Sequence, residues 1–220
     1  MGPAKILKML RHFIIPALIL AAPDFSNGQI LKDAQEIIGK LYKANGNMII
    51  PRPIVKLSPG QGRAACYLRS ANTIELSPLI FDVCRSMGKD SLAALAFVLG
   101  HEFSHAFQND LKASETNFLA YHRTDNSDVG HEEAADVSGA FMAYLAGYRT
   151  LDLMDPFLDR IYDKFNLNHD LRGYPSLAER KQTSQKVRKM VDQLISTYEA
   201  ANMLSAIGQY DLAVSCYEYI

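Results

Sequence analysis

The chain has 220 residues, 48% of them hydrophobic and 21% charged, with 13 Gly and 9 Pro. That composition excludes a disordered or low-complexity chain, and the length is enough for one domain whose core needs no disulfide staples. Lys plus Arg (23) nearly balances Asp plus Glu (24), a net charge of −1, so the chain has no general basic field and nucleic acid is not expected as a partner. Three scattered cysteines, Cys66, Cys84 and Cys216, form neither a CxxC pair nor a disulfide framework, although export would let one pair bridge.

Residues 1–28 read as an export signal. Lys5, Lys8 and Arg11 make a basic start, Phe13 to Ala22 (FIIPALILAA) an apolar run, and small and polar residues follow. A membrane-spanning helix needs about 20 apolar residues, and Pro16 interrupts this shorter run. Cleavage is therefore expected, leaving no stable membrane span; an uncleaved N-terminal anchor is the alternative. Ser26 and Gly28 offer the small residues that a signal peptidase reads, which makes Gln29 the first mature residue. Export puts the protein in the periplasm or outside the cell.

Residues 30–43 repeat apolar positions at helical spacing, and Asn45-Gly46 ends that run. Short β-prone runs follow at Ile49 to Leu57, Ala64 to Leu68 and Thr73 to Leu76, separated by turn residues, and predict a small meander. From Pro78 the pattern is helical, with helices expected near 78–87, 90–111, 130–147, 152–165, 176–207 and 210–219. The fold class is α+β: a small antiparallel or mixed sheet packed on a mostly helical body. Lys112 to Asp128 reads as the longest loop.

Within the helix 90–111 stands His101-Glu102-Phe103-Ser104-His105, an HExxH motif. Two imidazoles four residues apart lie on one helix face, the arrangement for two ligands of one zinc ion, with Glu102 beside the metal. Leu92, Leu95 and Leu99 fall on the side of Phe103, so one face is expected to pack while the other carries chemistry. The third ligand must come from elsewhere. His131-Glu132-Glu133-Ala134-Ala135-Asp136 opens the next helix, where Glu132 and Asp136 share a face with the small residues Gly139 and Ala143. Val137, Phe141 and Leu145 lie on the far side. This spacing offers Glu132 to zinc and Asp136 as acceptor for a ligand histidine's free N–H, with Glu133 turned toward solvent or the loop. His131 stays open as a nitrogen donor in place of Glu132.

The pair His101 to His105 and Glu132-x-x-Ala135-Asp136 resembles the gluzincin metallopeptidases, in particular the family that includes the HtpX heat-shock proteases and the CAAX-processing proteases. The likeness spans roughly residues 48–181. Tyr174-Pro175-Ser176-Leu177-Ala178-Glu179-Arg180 looks like that family's downstream His-Pro-Ser-x-x-x-Arg stretch, with Tyr174 where His is usual. The resemblance implies a zincin-like fold and an endopeptidase with one zinc ion per chain, held by His101, His105 and Glu132, with Glu102 moving the proton. It implies protein or peptide substrates, paired by β-addition along an edge strand for which residues 64–70 and 73–77 are the candidates. It also makes Tyr174 and Arg180 candidate stabilisers of the transition state. Read without it, Pro175 simply opens the helix 176–207.

Domain organisation is read as a signal over 1–28, a metallopeptidase domain over 29–192 and a terminal helical hairpin over 193–220. Residues 200–217 resemble part of a tetratricopeptide repeat, with Gly208-x-Tyr210, Ala213 and Tyr217 at the right spacing, which marks the C-terminal helices as a candidate protein-docking surface. The simpler reading is a hairpin that caps the domain with Leu204, Ile207, Leu212 and Val214 as core. The leading functional expectation is a zinc-dependent endopeptidase acting outside the cytosol. The alternatives are a catalytically silent metallopeptidase-like binding module and a metal-dependent hydrolase of another bond.

Overall fold

A computed structural model of the chain describes residues 27–46, 49–58, 63–107, 126–167 and 175–220. The signal segment up to residue 26, the stretch 112–125 of the expected loop, and Tyr174 lie outside the described residues. The chain is mostly helical around a three-stranded mixed sheet, an α+β architecture. In order come α1 (Asn27–Asn45), β1 (Ile54–Leu57), β2 (Ala65–Leu68), β3 (Thr73–Leu76), α2 (Pro78–Ser86), α3 (Ser91–Ser104), α4 (Asn126–Leu145), α5 (Met154–Lys164), α6 (Leu177–Ala206) and α7 (Tyr210–Tyr219). No described helix is long and apolar enough to cross a membrane.

The sheet is not the expected meander. Its order is β1-β3-β2: β3 pairs antiparallel with β2, in a register that sets Leu68 against Thr73, and parallel with β1, setting Ile54 against Thr73. Asn72, left-handed at φ 44°, closes the tight β2–β3 connection, and its carbonyl accepts from the Ile54 amide at 3.1 Å. Strand propensity locates each run but carries no information on which run it pairs with. β3 is central, and its residues Thr73, Ile74 and Leu76 are buried. Of the two candidate edge segments, 73–77 is therefore excluded and 64–70 contains an edge strand, β2.

α2 starts at Pro78 behind Ser77, whose hydroxyl accepts from the Ile80 amide. α3 follows and is the hub: α1, α2, α4, β2 and β3 all pack on it. Every residue from Ala94 to Ser104 is buried, so both faces of α3 pack, while Leu92, expected inside, is 48% exposed. The helix ends at Ser104 rather than continuing to 111. The Ser104 hydroxyl donates back to the Gly100 carbonyl at 2.9 Å, and the amides of Ala106 and Phe107 bond three residues back, tightening the last turn.

α4 begins four residues earlier than expected, at Asn126, and crosses α3 at a pair of glycines. A Cβ on Gly100 would lie 2.5 Å from the Gly139 carbonyl oxygen, and a Cβ on Gly139 would lie 2.4 Å from the His101 amide nitrogen. Here the two helix backbones touch. The far side of α4 is covered as well: Phe141 and Tyr144 meet Tyr198 of α6 at ring-centroid distances of 6.3 and 6.5 Å. Residues 151–153 form a 3₁₀ turn before α5, and Asp155 of α5 accepts from Ser184 of α6.

α6 runs unbroken from Leu177 to Ala206, through residue 193, and returns as α7 across the left-handed Gly208 at φ 81°. The hairpin core differs from expectation. Ala201 and Ala213 are the buried residues, whereas Ile207, Leu212 and Val214 are 71%, 55% and 52% exposed. The three cysteines carry free thiols, and Cys66 and Cys84 are buried.

The glycine crossing generates a prediction. Gly100→Ala and Gly139→Ala each set a methyl group against backbone that cannot rotate away, so each should destabilise the protein by about 1–3 kcal/mol or more in urea unfolding. Ser138→Ala, at an exposed position beside Gly139, should change the midpoint little.

Candidate metal centre

α3 supplies His101, its C-terminal cap residue is His105 one turn later, still in right-handed helical geometry, and α4 supplies Glu132 two turns before Gly139, on the face that meets α3. One donor atom from each of the three lies within 4.8 Å of the others, and all three residues are buried. The two Nε2 atoms are 3.2 Å apart; Glu132 places Oε2 3.2 Å from Nε2 of His101 and Oε1 3.7 Å from Nε2 of His105. Ligand atoms about 2.0–2.1 Å from a tetrahedral ion lie about 3.3 Å from one another, so this donor set has the spacing of a metal site.

His101 is oriented from behind. Its Nδ1 lies 2.7 Å from Asp136 Oδ1, and Arg180 Nη1 donates to Asp136 Oδ2 at 3.3 Å. With Nδ1–H donating to Asp136, the lone pair of Nε2 faces Glu132 and His105. Burial alone would raise the Asp136 carboxyl, but the Arg180 charge and the His101 hydrogen bond outweigh it and hold the group below the ordinary carboxylate range. At His101 burial disfavours the charged ring, yet hydrogen bonds and charge from Asp136 and Glu132 prevail and push its pKa up to about 10. The His101 imidazole thus sits in a field that favours a cation.

Charge balance points the same way. Glu102, Glu132 and Asp136 are buried carboxylates, and Arg180 is the buried guanidinium among them. With both imidazoles deprotonated, as metal ligation requires, one positive charge would offset one of three negative ones. A divalent cation would neutralise the remaining two, which an apolar surrounding otherwise penalises heavily.

The structure brings together His101, His105, Glu132 and Asp136 as the spacing anticipates, with Glu102 buried beside them. His131 is no part of the ligand group. Glu133, expected toward solvent or the loop, is instead paired with Lys186 of α6 at 2.6 Å. Arg180 is held at the start of α6 by a capping box, in which the Ser176 hydroxyl accepts from the Glu179 amide and the Glu179 carboxylate accepts from the Ser176 amide. Pro175 sits just before that cap rather than inside the first turn, and its carbonyl accepts from Tyr162 at 2.7 Å. Arg180 thus reaches the centre through Asp136, which accepts from it on Oδ2 and faces His101 with Oδ1.

Two contributors escaped the sequence reading. Gly100 permits the backbone contact, and its place immediately before His101 was the available signal. Arg69, just beyond β2, donates to the His105 carbonyl at 3.1 Å and so ties the edge strand to the end of α3; nothing in the sequence marks it.

No protein-family model, no curated protein and no solved structure matches the chain. The buried His101, His105 and Glu132 group is a candidate metal centre on its own geometry.

Two results check it. Glu132→Gln should release bound metal while Glu133→Gln retains it, read as metal per chain by elemental analysis. Asp136→Asn and Arg180→Met should retain the ligands but weaken metal binding by about 10–100-fold against a competing chelator, the usual effect of losing a group that orients a ligand histidine.

Proposed function

We propose that the chain is a zinc-dependent endopeptidase of the gluzincin type, with a zincin-like fold, acting on protein substrates outside the cytosol. The observation that carries this reading is the convergence of His101, His105 and Glu132, with Glu102 inside the same buried turn of α3. Two nitrogens and one carboxylate oxygen leave a fourth tetrahedral position open, the pattern of a catalytic zinc rather than a structural one. Zinc, when bound there, supplies a Lewis acid that polarises the scissile carbonyl and lowers the pKa of water.

The protein's own residues do the rest. His101 and His105 hold their donor nitrogens on one helix face, and Asp136 with Arg180 fixes the tautomer of His101. Glu102 takes the proton of the attacking water on its carboxylate and passes it to the amide nitrogen of the leaving strand, so the C–N bond breaks without releasing an unprotonated amine. A substrate strand adding along β2 would run beside α3, because Arg69 fastens the end of that edge to the carbonyl of His105. The signal-like residues 1–28 supply the route out of the cytosol.

The test compares wild type with Glu102→Gln. Both should carry close to one zinc per chain, and chelator-sensitive cleavage of an unfolded protein such as casein should fall by at least about 100-fold in the variant. Chelation should also lower the melting temperature, because metal binds the native state alone. Zinc in both proteins without cleavage in either would turn the reading toward a metal-bound docking protein.

A further inference from the structure

The last 31 residues have a surface unlike the rest of the molecule. Among the described residues, nine of the twelve large hydrophobic side chains that are exposed lie between Met190 and Ile220. That stretch carries Asp192, Glu199, Asp211 and Glu218 and no Lys or Arg; all 23 basic residues precede it.

The hairpin is also held firmly while leaving its apolar side chains outward. A helix of ten residues is marginal alone in water, and α7 buries a single residue, Ala213. What fixes α7 is polar and aromatic. Tyr217 stacks edge-on against Tyr198 at 6.2 Å and donates to Asn202 at 2.6 Å, and Gln193 donates to Tyr219 at 2.7 Å. Tyr198 in turn packs on Phe141 and Tyr144 of α4, and Tyr144 donates to Glu199. Meanwhile Met203 and Ile207 at the end of α6, and Tyr210 and Leu212 on α7, are 55–71% exposed.

We infer that the α6–α7 hairpin is a docking surface for a protein segment that combines apolar and basic residues, an amphipathic basic helix. The apolar side chains provide the contact area, and the exposed Asp192, Glu199, Asp211 and Glu218 of the same stretch, which has no Lys or Arg, select Lys and Arg in the partner. The same carboxylates argue against the other occupants. An anionic lipid surface would be repelled, and pairing with the hairpin of a second copy would set four carboxylates against four. This inference stands apart from the peptidase reading, since it uses none of the residues of the metal centre.

The probe is a fluorescent amphipathic helix of Leu and Lys, about 18 residues or five turns long, with a control in which every Lys is Glu. Fluorescence anisotropy should show saturable, salt-sensitive binding of the Lys peptide to the purified protein and none of the Glu peptide. Tyr210→Ser with Leu212→Ser, and separately Asp211→Lys with Glu218→Lys, should each weaken binding at least about tenfold with the metal content unchanged. Should the α7 pairs lose the helical fold by circular dichroism, Met203→Ser on α6 is read instead, with the same expected direction. Equal binding of the two peptides, or wild-type affinity in folded variants, would overturn the inference. So would sedimentation as a dimer that Leu212→Ser dissolves, which would make a second copy the occupant.

Discussion

The backbone contact between Gly100 and Gly139 is the constraint on which the rest of the structure depends. Two helices ordinarily keep axes about 8–10 Å apart because side chains stand between them. Here the Gly139 carbonyl lies where a Cβ of Gly100 would stand, so nothing intervenes. Gly100 adjoins His101, and Gly139 lies one turn after Asp136 and two after Glu132. Short side chains therefore reach across: an imidazole of α3 meets carboxylates of α4 on both of its nitrogens. A wider crossing would leave the same residues facing one another across a gap that water fills.

That closeness has an electrostatic cost, and the fold meets it by alternation. From Arg180 through Asp136 to His101 and on to Glu132, each charged or polar group contacts one of opposite character. Removing a member takes a partner from a buried neighbour, which is why such chains are more sensitive to deletion than surface ion pairs. Three helices contribute to this line: α3, α4 packed on it, and α6 packed on α4. The arrangement divides the cluster along the sequence: α3 and its C-terminal cap provide the two imidazoles and Glu102, α4 provides Glu132 and Asp136, and α6 provides the charge behind Asp136.

Much of this was legible in the residues. HExxH on a helix, followed by two acids four apart on a face of small residues, identified His101, His105, Glu132 and Asp136 and even the glycine that admits the second helix. Those features are local, and periodicity reports local geometry well. The sheet was not legible in the same way: the runs at 65–68 and 73–76 were found, but pairing β1 with β3 in parallel is a long-range choice that strand propensity does not encode. The end of α3 was also missed, because the Ser104 hydroxyl bonded back to Gly100 and the tightened turn after it are invisible in a count of apolar positions. Arg69 lies in the same class, as does the outward turn of Leu212 and Val214. An apolar residue at helical spacing reads as core whether or not anything covers it.

The hydrogen bond between His101 and Asp136 joins residues 35 apart, and the one between Arg180 and Asp136 joins residues 44 apart. During synthesis the ribosome therefore delivers His101, His105, Glu132 and Asp136 well before the guanidinium that pairs with Asp136. A nascent chain stopped after α4 already owns every donor atom but still lacks the positive charge that steadies Asp136. The buried line from His101 through Asp136 is thus complete only once the first turn of α6 has docked. The capping box at Ser176, a device of helix initiation, thereby also completes a buried charge arrangement.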